Sequence, residues 1–253
     1  MQIKGVDLSY HNKGVSFDKL KELGYKFVIL RVGIRGYRYP TINKDSCFEE
    51  FYKEARRVGL GVGCYFFTQA ITEAEAKEEA KWVLETIKGK VFEYPIYIDQ
   101  EWGEAVNHTG RADYNTVATN TAVCKAFCET VQNAGYYAGI YLSDSWLTNK
   151  VYWKQLLPYD KWIAKWSIIK PNKNRGDYGM WQNTNNLNIG GKRIDGNIAT
   201  KDYPTIMLEH GLNSVTKPDT RYDVTIKCIS NGDVAKIKEL CATLEINCNV
   251  KEI

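Results

Sequence analysis

The sequence predicts an α/β fold: an irregular (β/α)8-type barrel followed by a small C-terminal β-α-β domain. Three observations lead there. Short apolar segments alternate with segments of helical character from the first residues onward. Eight such strand candidates fall within about 200 residues, which favours a closed barrel over an open doubly wound sheet. After Tyr203-Pro204 the alternation stops, and a shorter unit with its own pattern follows.

Ile3–Ser9 reads as the first strand. A short helix follows, with Ser16 placed to cap its start and Gly24 to stop it. Lys26–Gly33 is a near-continuous apolar run, as expected of a strand buried on both faces. The rhythm continues with a helix across Asp45–Gly59, a strand at Gly61–Phe67 and a helix across Thr72–Lys88 that opens on Thr72-Glu73-Ala74-Glu75. Next come a strand at Tyr94–Glu101, a long helix across about Asp113–Ala134 and a strand at Tyr136–Leu142. Strands persist at Lys161–Trp166, Tyr178–Gln182 and Arg193–Ile198 while the helices between them shrink, so the barrel is expected to be irregular. Strands separated by crossovers predict a parallel sheet.

Residues 205–221 carry Gly, Asn, Ser, Lys and Pro and read as a linker. The expected division is a barrel over 1–208, a linker over 209–221 and an appendage over 222–253. The appendage reads as strand Tyr222–Ser230, helix Gly232–Leu244 and strand Ile246–Glu252. It is too small to bury a core alone. It is therefore expected to pack on the barrel, to form a homodimer through its sheet edges, or to be a truncated module.

Composition narrows the function. The chain has 253 residues, 25% of them charged and 44% hydrophobic, as in an ordinary globular protein rather than a disordered or collagenous one. A net charge of +4 without a basic block argues against nucleic acid as a partner. Seven cysteines cannot all pair. Cys124 and Cys128, at i and i+4 on one expected helix, read as packing residues. Three scattered histidines, His11, His108 and His210, make a zinc site a poor expectation. Residues 1–7 hold no apolar run of signal-peptide length, and no window suits a membrane span. The expectation is synthesis in the cytoplasm with reduced thiols, and no membrane partner.

The segment richest in chemistry is Tyr97-Ile98-Asp99-Gln100-Glu101-Trp102. Strand alternation puts Tyr97, Asp99 and Glu101 on one face. Two carboxylates at the end of an apolar strand raise each other's pKa, so one can keep a proton while the other is charged. Glycoside hydrolysis needs that division of labour. An isolated Asp-x-Glu is common, however, and equally suits a solvated strand end. Two further acids occur at matching places: Asp7 ends the first strand and Asp195 lies in the last. First and last strands are neighbours in a closed barrel, so all four acids converge on one rim. Tyr65, Tyr141, Trp166 and the pair Trp181-Gln182 recur at strand ends, where rings with polar tips suit a wet, sugar-binding cleft. Phe66, Trp162 and Trp82 read as core. No phosphate loop, dinucleotide fingerprint or Gly-x-Ser-x-Gly elbow is present, so no nucleotide cofactor is expected.

With these segments in place the sequence resembles glycoside hydrolase family 25, the Chalaropsis-type lysozymes. The resemblance rests on Gly5-Val6-Asp7-Leu8-Ser9, Leu30-Arg31-Val32-Gly33, Gly63-Cys64-Tyr65-Phe66-Phe67, Tyr97-Ile98-Asp99-Gln100-Glu101, Gly139-Ile140-Tyr141, Trp162-Ile163-Ala164, Met180-Trp181-Gln182 and Ile194-Asp195-Gly196-Asn197. It departs from the family at Gln100, where an apolar residue is usual, and at Phe66, where many members carry His. It implies cleavage of the β-1,4 bond between N-acetylmuramic acid and N-acetylglucosamine in peptidoglycan, without metal or cofactor. Glu101 would be the general acid. Asp99 would stabilise the positive charge at the anomeric centre, whether the substrate's N-acetyl group or a carboxylate attacks. Asp7 and Asp195 would complete the catalytic set, and Tyr65, Tyr97, Tyr141, Trp166 and Gln182 would bind substrate. The resemblance also implies action on the bacterial cell wall, as in a phage endolysin or a secreted autolysin, and it offers binding of wall polymer as the alternative to dimerisation for the appendage. A chitinase-like glycosidase or a non-catalytic glycan-binding barrel are the competing readings.

Overall fold

The computed structural model describes residues 2–103, 108–216 and 230–243. The chain divides into two units, Met1–Thr216 and Lys217–Ile253. The first contains strands β1 (Ile3–Leu8), β2 (Phe27–Arg35), β3 (Ile42–Lys44), β4 (Gly61–Phe67), β5 (Ile96–Asp99), β6 (Ala138–Ser143), β7 (Asp160–Ala164), β8 (Met180–Ile189) and β9 (Lys192–Ala199). Its helices are α1 (Phe17–Glu22), α2 (Phe48–Arg57), α3 (Glu73–Ile87), α4 (Val117–Asn133), α5 (Asp144–Asn149) and α6 (Tyr203–His210). In the second unit, α7 (Asn231–Thr243) matches the expected helix, whereas the strands expected within 222–229 and 246–252 fall outside the described residues.

Local chemistry sets the helix starts. Ser16 and Thr72 accept hydrogen bonds from the amides of Lys19 and Glu75, each at 3.2 Å, and Thr116 caps α4 through the amide of Thr119 at 3.1 Å. The long helix therefore begins four residues after Asp113, which stays in the turn before it.

The strands run in the order β1-β9-β8-β7-β6-β5-β4-β2, and pairing of β1 with β2 closes a ring of eight. β3 adds antiparallel to the end of β2, outside the ring. The barrel is not wholly parallel, as the crossover pattern predicted: β9 runs antiparallel to both β8 and β1. Only Gly190 and Gly191, at φ 59° and 82°, separate β8 from β9. A parallel neighbour needs a crossover of about a dozen residues or more, so a two-residue turn can only make a hairpin.

Alternation along the strands builds two apolar layers. Inside the barrel, Phe27, Ile29, Tyr97, Trp162 and Met180 pack together over Tyr203 and Met207. Outside it, Val28, Leu30, Val62, Phe66, Ile98 and Ile140 face residues of α2, α3 and α4 such as Phe51, Val83 and Phe127. Phe66 and Trp162 are core, as expected, and Trp82 packs at the edge of the outer layer. Cys64, Cys124 and Cys128 are buried free thiols in that outer layer, and desolvation pushes all three pKa values up, which leaves them poor nucleophiles. Among the described residues no helix is long and apolar enough to cross a membrane.

The barrel unit extends beyond residue 208. Its last turn carries Asn213, which is fully buried at a φ of 56°. The Asn213 side chain accepts from the Tyr137 amide at 2.6 Å and donates to the Tyr94 carbonyl at 2.9 Å, and its backbone bonds to Gly135 and Phe92. Residues 209–216 are thus part of the barrel rather than a linker. The composition misled because Asn, Gly and Ser serve buried left-handed turns as well as solvated ones. Asn213→Ala orphans the Tyr137 amide and the Tyr94 carbonyl, so we expect a loss of about 2–3 kcal/mol in denaturant unfolding. A change under about 0.5 kcal/mol would return 209–216 to linker status.

Candidate active site

The C-terminal ends of the parallel strands form one rim, and the four acids meet there. Asp7 stands near the end of β1 and Asp99 is the last residue of β5. Glu101 lies in the bend two residues on, since β5 is shorter than the Tyr94–Glu101 strand expected. Asp195 pairs directly with Asp7 in the antiparallel β1–β9 ladder. It reaches the rim only because β9 is reversed, which brings its first half to the level where the other strands end.

A hydrogen-bond network orients these acids from below. Gln182, at the rim on β8, accepts from the Tyr141 hydroxyl and from the Trp166 indole N–H, both at 3.0 Å, through the same Oε1. Two donors on Oε1 leave its Nε2 to face the acids, and it donates to Asp7 Oδ2 at 3.0 Å and to Asp195 Oδ2 at 3.4 Å. Asn197 acts in parallel: its Oδ1 accepts from Trp162 Nε1 at 2.8 Å and its Nδ2 donates to Asp7 Oδ2 at 2.7 Å. Asp7 is held by two amides, each held in turn by aromatic donors.

Electrostatics push every one of the four carboxyls upward. Burial and the charge of Asp195 raise Asp7 to about 7, against the pull of its two amide hydrogen bonds. Burial and then Asp195 raise half-buried Glu101 to about 7. Burial raises Asp99 well above the usual range, followed by the charges of Glu101 and Asp7, while Arg31 opposes the shift. Burial also raises Asp195, with Arg193 opposing. Four such groups titrate as a set: each proton lost leaves charge that holds the remainder.

Arg31 enters the site from β2. Its Nε donates to Asp45 at 2.8 Å and its guanidinium lies over the Tyr10 ring, 4.8 Å from the centroid. Asp99 Oδ1 is buried and has no hydrogen-bond partner among the described residues, so a ligand amide or hydroxyl could donate to it. No group of His, Cys, Asp and Glu among the described residues is arranged to hold a metal ion.

The predicted sugar-binding residues divide. Tyr65 and Tyr141 edge the site and pack edge-on against Trp162, at centroid distances of 5.8 and 4.5 Å. Trp166 exposes 59% of its surface on the rim while its N–H holds Gln182. Tyr97 does not join them. It lies one layer below Asp99, fully buried, with its hydroxyl 3.3 Å from that of Tyr203. Two residues of strand separate it from the rim, so sharing a face with Asp99 places it in the barrel interior, below the acids.

Sequence reasoning assigned no role to Asn197, Arg31, Tyr10 or Tyr37. Asn197 was accessible by alternation, being two residues from Asp195 on one strand. Tyr10 and Tyr37 lie in connections, half-exposed beside Arg31 and Phe67 respectively, and no periodicity points to them. A groove of about 630 Å³ lined by Ile3, Lys26, Gly61, Tyr94 and Asp202 opens at the strands' other end, away from the acids.

Comparison with known proteins agrees with this fold. The "Autolytic lysozyme" of Clostridium acetobutylicum is 24% identical over 229 residues, covering 90% of this chain and 63% of its own. The modular autolysin LytC of Streptococcus pneumoniae superposes with a TM-score of 0.67 at 28% identity, over 78% of this chain and 46% of that one. A bacterial lysozyme from Streptomyces coelicolor shares the fold at 18% identity, with a TM-score of 0.67 over 79% of this chain and 93% of that one. The present chain therefore spans somewhat under two thirds of the clostridial lysozyme and about half of the pneumococcal autolysin. The profile of "Glycosyl hydrolases family 25" matches residues 6–192, a span that includes Asp7, Asp99 and Glu101 and stops three residues short of Asp195. With most of the barrel matched, the chain belongs to glycosyl hydrolase family 25.

Proposed function

We propose that the protein is a muramidase, cleaving the β-1,4 bond between N-acetylmuramic acid and N-acetylglucosamine in peptidoglycan. The observation that carries this reading is the pair Asp99 and Glu101, two residues apart at one strand end, both pushed up first by burial, then Asp99 by the charges of Glu101 and Asp7 and Glu101 by that of Asp195. Catalysis needs one proton in that pair. An N-acetyl N–H donated to the unpartnered Asp99 Oδ1, with Arg31 nearby, favours the charged form of Asp99. The proton then stays on Glu101, which delivers it to the leaving glycosidic oxygen as that bond breaks. Positive charge gathers at the anomeric carbon, where the substrate's own N-acetyl oxygen attacks under the guidance of Asp99. The electron-rich rim, held rigid by Gln182 and Asn197, stabilises it without reorganising. Trp166 offers an exposed ring at the same rim for a sugar face, with Tyr141 and Tyr65 buried beside it.

The test is digestion of purified Gram-positive walls, followed by reduction and analysis of the new chain ends. We expect falling turbidity and new reducing ends that are N-acetylmuramic acid. Reducing ends of N-acetylglucosamine, or digestion of chitin but not peptidoglycan, would replace this reading with another glycosidase activity. The relatives named an autolysin and an autolytic lysozyme support action on the bacterial wall.

The pH profile follows with a definite sign. Glu101 must be protonated and its pKa is raised to about 7, so kcat/KM on soluble wall fragments should fall as pH rises above about 7. An acid limb should appear where Asp99 takes up its own proton. Full activity maintained to pH 9 would contradict the general-acid role.

A further inference from the structure

We propose that Asp113 is a positioning residue that sets where the Glu101 carboxyl stands, by clasping together the amides of Gly103 and Gly110 beyond the end of β5. The inference rests on the assignment of Glu101 as general acid. Among the described residues no hydrogen bond holds the Glu101 carboxyl, so its location depends on the path of its backbone. That path is tied down two residues later. The Gly103 amide donates to Asp113 Oδ1 at 2.6 Å, and the Gly110 amide donates to Asp113 Oδ2 at 2.8 Å. One carboxylate thus bridges the two amides, and Asp113 itself is only 5% exposed.

The two glycines touch. A Cβ on either would lie 2.9 Å from the Cα of the other and within about 3.0 Å of the Gln69 amide, so a side chain at either position would force the clasp apart. Around it, the Arg111 guanidinium holds the Glu75 carboxylate at 2.8 and 2.9 Å and the Gln69 carbonyl at 2.9 Å. The Arg111 amide donates to the Tyr37 carbonyl at 2.9 Å and the Ala112 amide to Gln69 Oε1 at 3.2 Å. The clasp is anchored to α3, to the connection leaving β4 and to the β2–β3 hairpin. Between β5 and the clasp lie only Gln100, Glu101 and Trp102. Gln100 is fully buried, and the Trp102 ring packs on Trp146 at 5.0 Å beneath the Lys150 ammonium at 4.4 Å. With both neighbours of Glu101 and the next amide held, the acid has little freedom to leave the rim.

The experiment compares Asp113→Asn and Gly103→Ala with the unaltered full chain, and with Glu101→Gln as reference, on soluble wall fragments. Asn keeps the volume of Asp but accepts only one of the two amides, whereas Ala at 103 pushes Gly110 away while leaving Asp113 intact. We expect kcat to fall about 10- to 100-fold in each with KM within about twofold, the size of effect that a displacement near 1 Å produces. Amide hydrogen exchange at Gly103 and Gly110 should accelerate. Glu101 faces Asp99, Asp7, Asp195, Tyr141 and Tyr37, and relaxing it toward water lowers its pKa, so the alkaline limb of the pH profile should move toward acid. Circular dichroism melting restricts the comparison to folded protein. A folded variant with faster exchange but unchanged kcat and pH limb overturns the positioning role. Loss of activity that tracks only the unfolded fraction overturns it equally. If Glu101→Gln is itself active, the general-acid reading fails first; if Glu101→Gln is inactive and Asp113→Asn is not, the clasp alone fails.

Discussion

Replacing Glu101 by Gln is expected to lower kcat on peptidoglycan by about 100- to 10,000-fold, the usual worth of a positioned general acid. The change is nearly isosteric, and no hydrogen bond to the carboxyl is lost within the described protein, so binding and fold should persist. Gln cannot supply the proton that the leaving sugar oxygen needs. A substrate whose leaving group is an acidic phenol needs no such proton, and on it the variant should recover most of its rate. This contrast separates an acid from a residue that merely shapes the cleft. Activity on cell walls within twofold of the parent would remove Glu101 from the chemistry, and loss that an activated leaving group fails to restore would assign it another role.

Asp99→Asn should be almost as damaging, with kcat lower by about 100- to 1,000-fold, because it removes the negative charge aimed at the developing cation. The same change should make the protein more stable at pH 8. In the unfolded chain Asp99 ionises near its ordinary value, whereas burial and the charges of Glu101 and Asp7 raise it well above that in the fold. Stability therefore falls as pH rises through the gap between the two, and Asn removes that dependence. The gain should vanish near pH 3, where the carboxyl is protonated in both states. Activity and thermal midpoint measured together on one preparation check both halves. A variant that is inactive and also less stable at pH 8 would mean that Asp99 serves the fold rather than the reaction.

These expectations show how unevenly the site could be read. Asp99 and Glu101 stood out because two carboxylates closing an apolar run are costly unless used, and alternation alone put them on one face. Asp7 was legible for the same reason. Asp195 was found, but its place was understood only through the Gly190-Gly191 turn, which reverses β9 and lines Asp195 up with Asp7. Tyr97 shows the limit of the alternation rule: the rule assigns a face but not a depth, and this ring fills the interior two residues below the rim. Asp113 and Asn213 gave no signal, the first reading as the start of a helix and the second as linker, and their value lies in backbone groups of other segments.

The sequence by itself determined the strand-helix rhythm and the family and singled out the four acids as candidates, because burial period and motif spacing are local properties of the chain. The tertiary structure alone decided how the barrel closes, where it ends, and that all four carboxyls of the rim are pushed upward. Those depend on desolvation and charge among residues far apart in sequence: Asp7 and Asp195 become neighbours only when β9 turns back to meet β1.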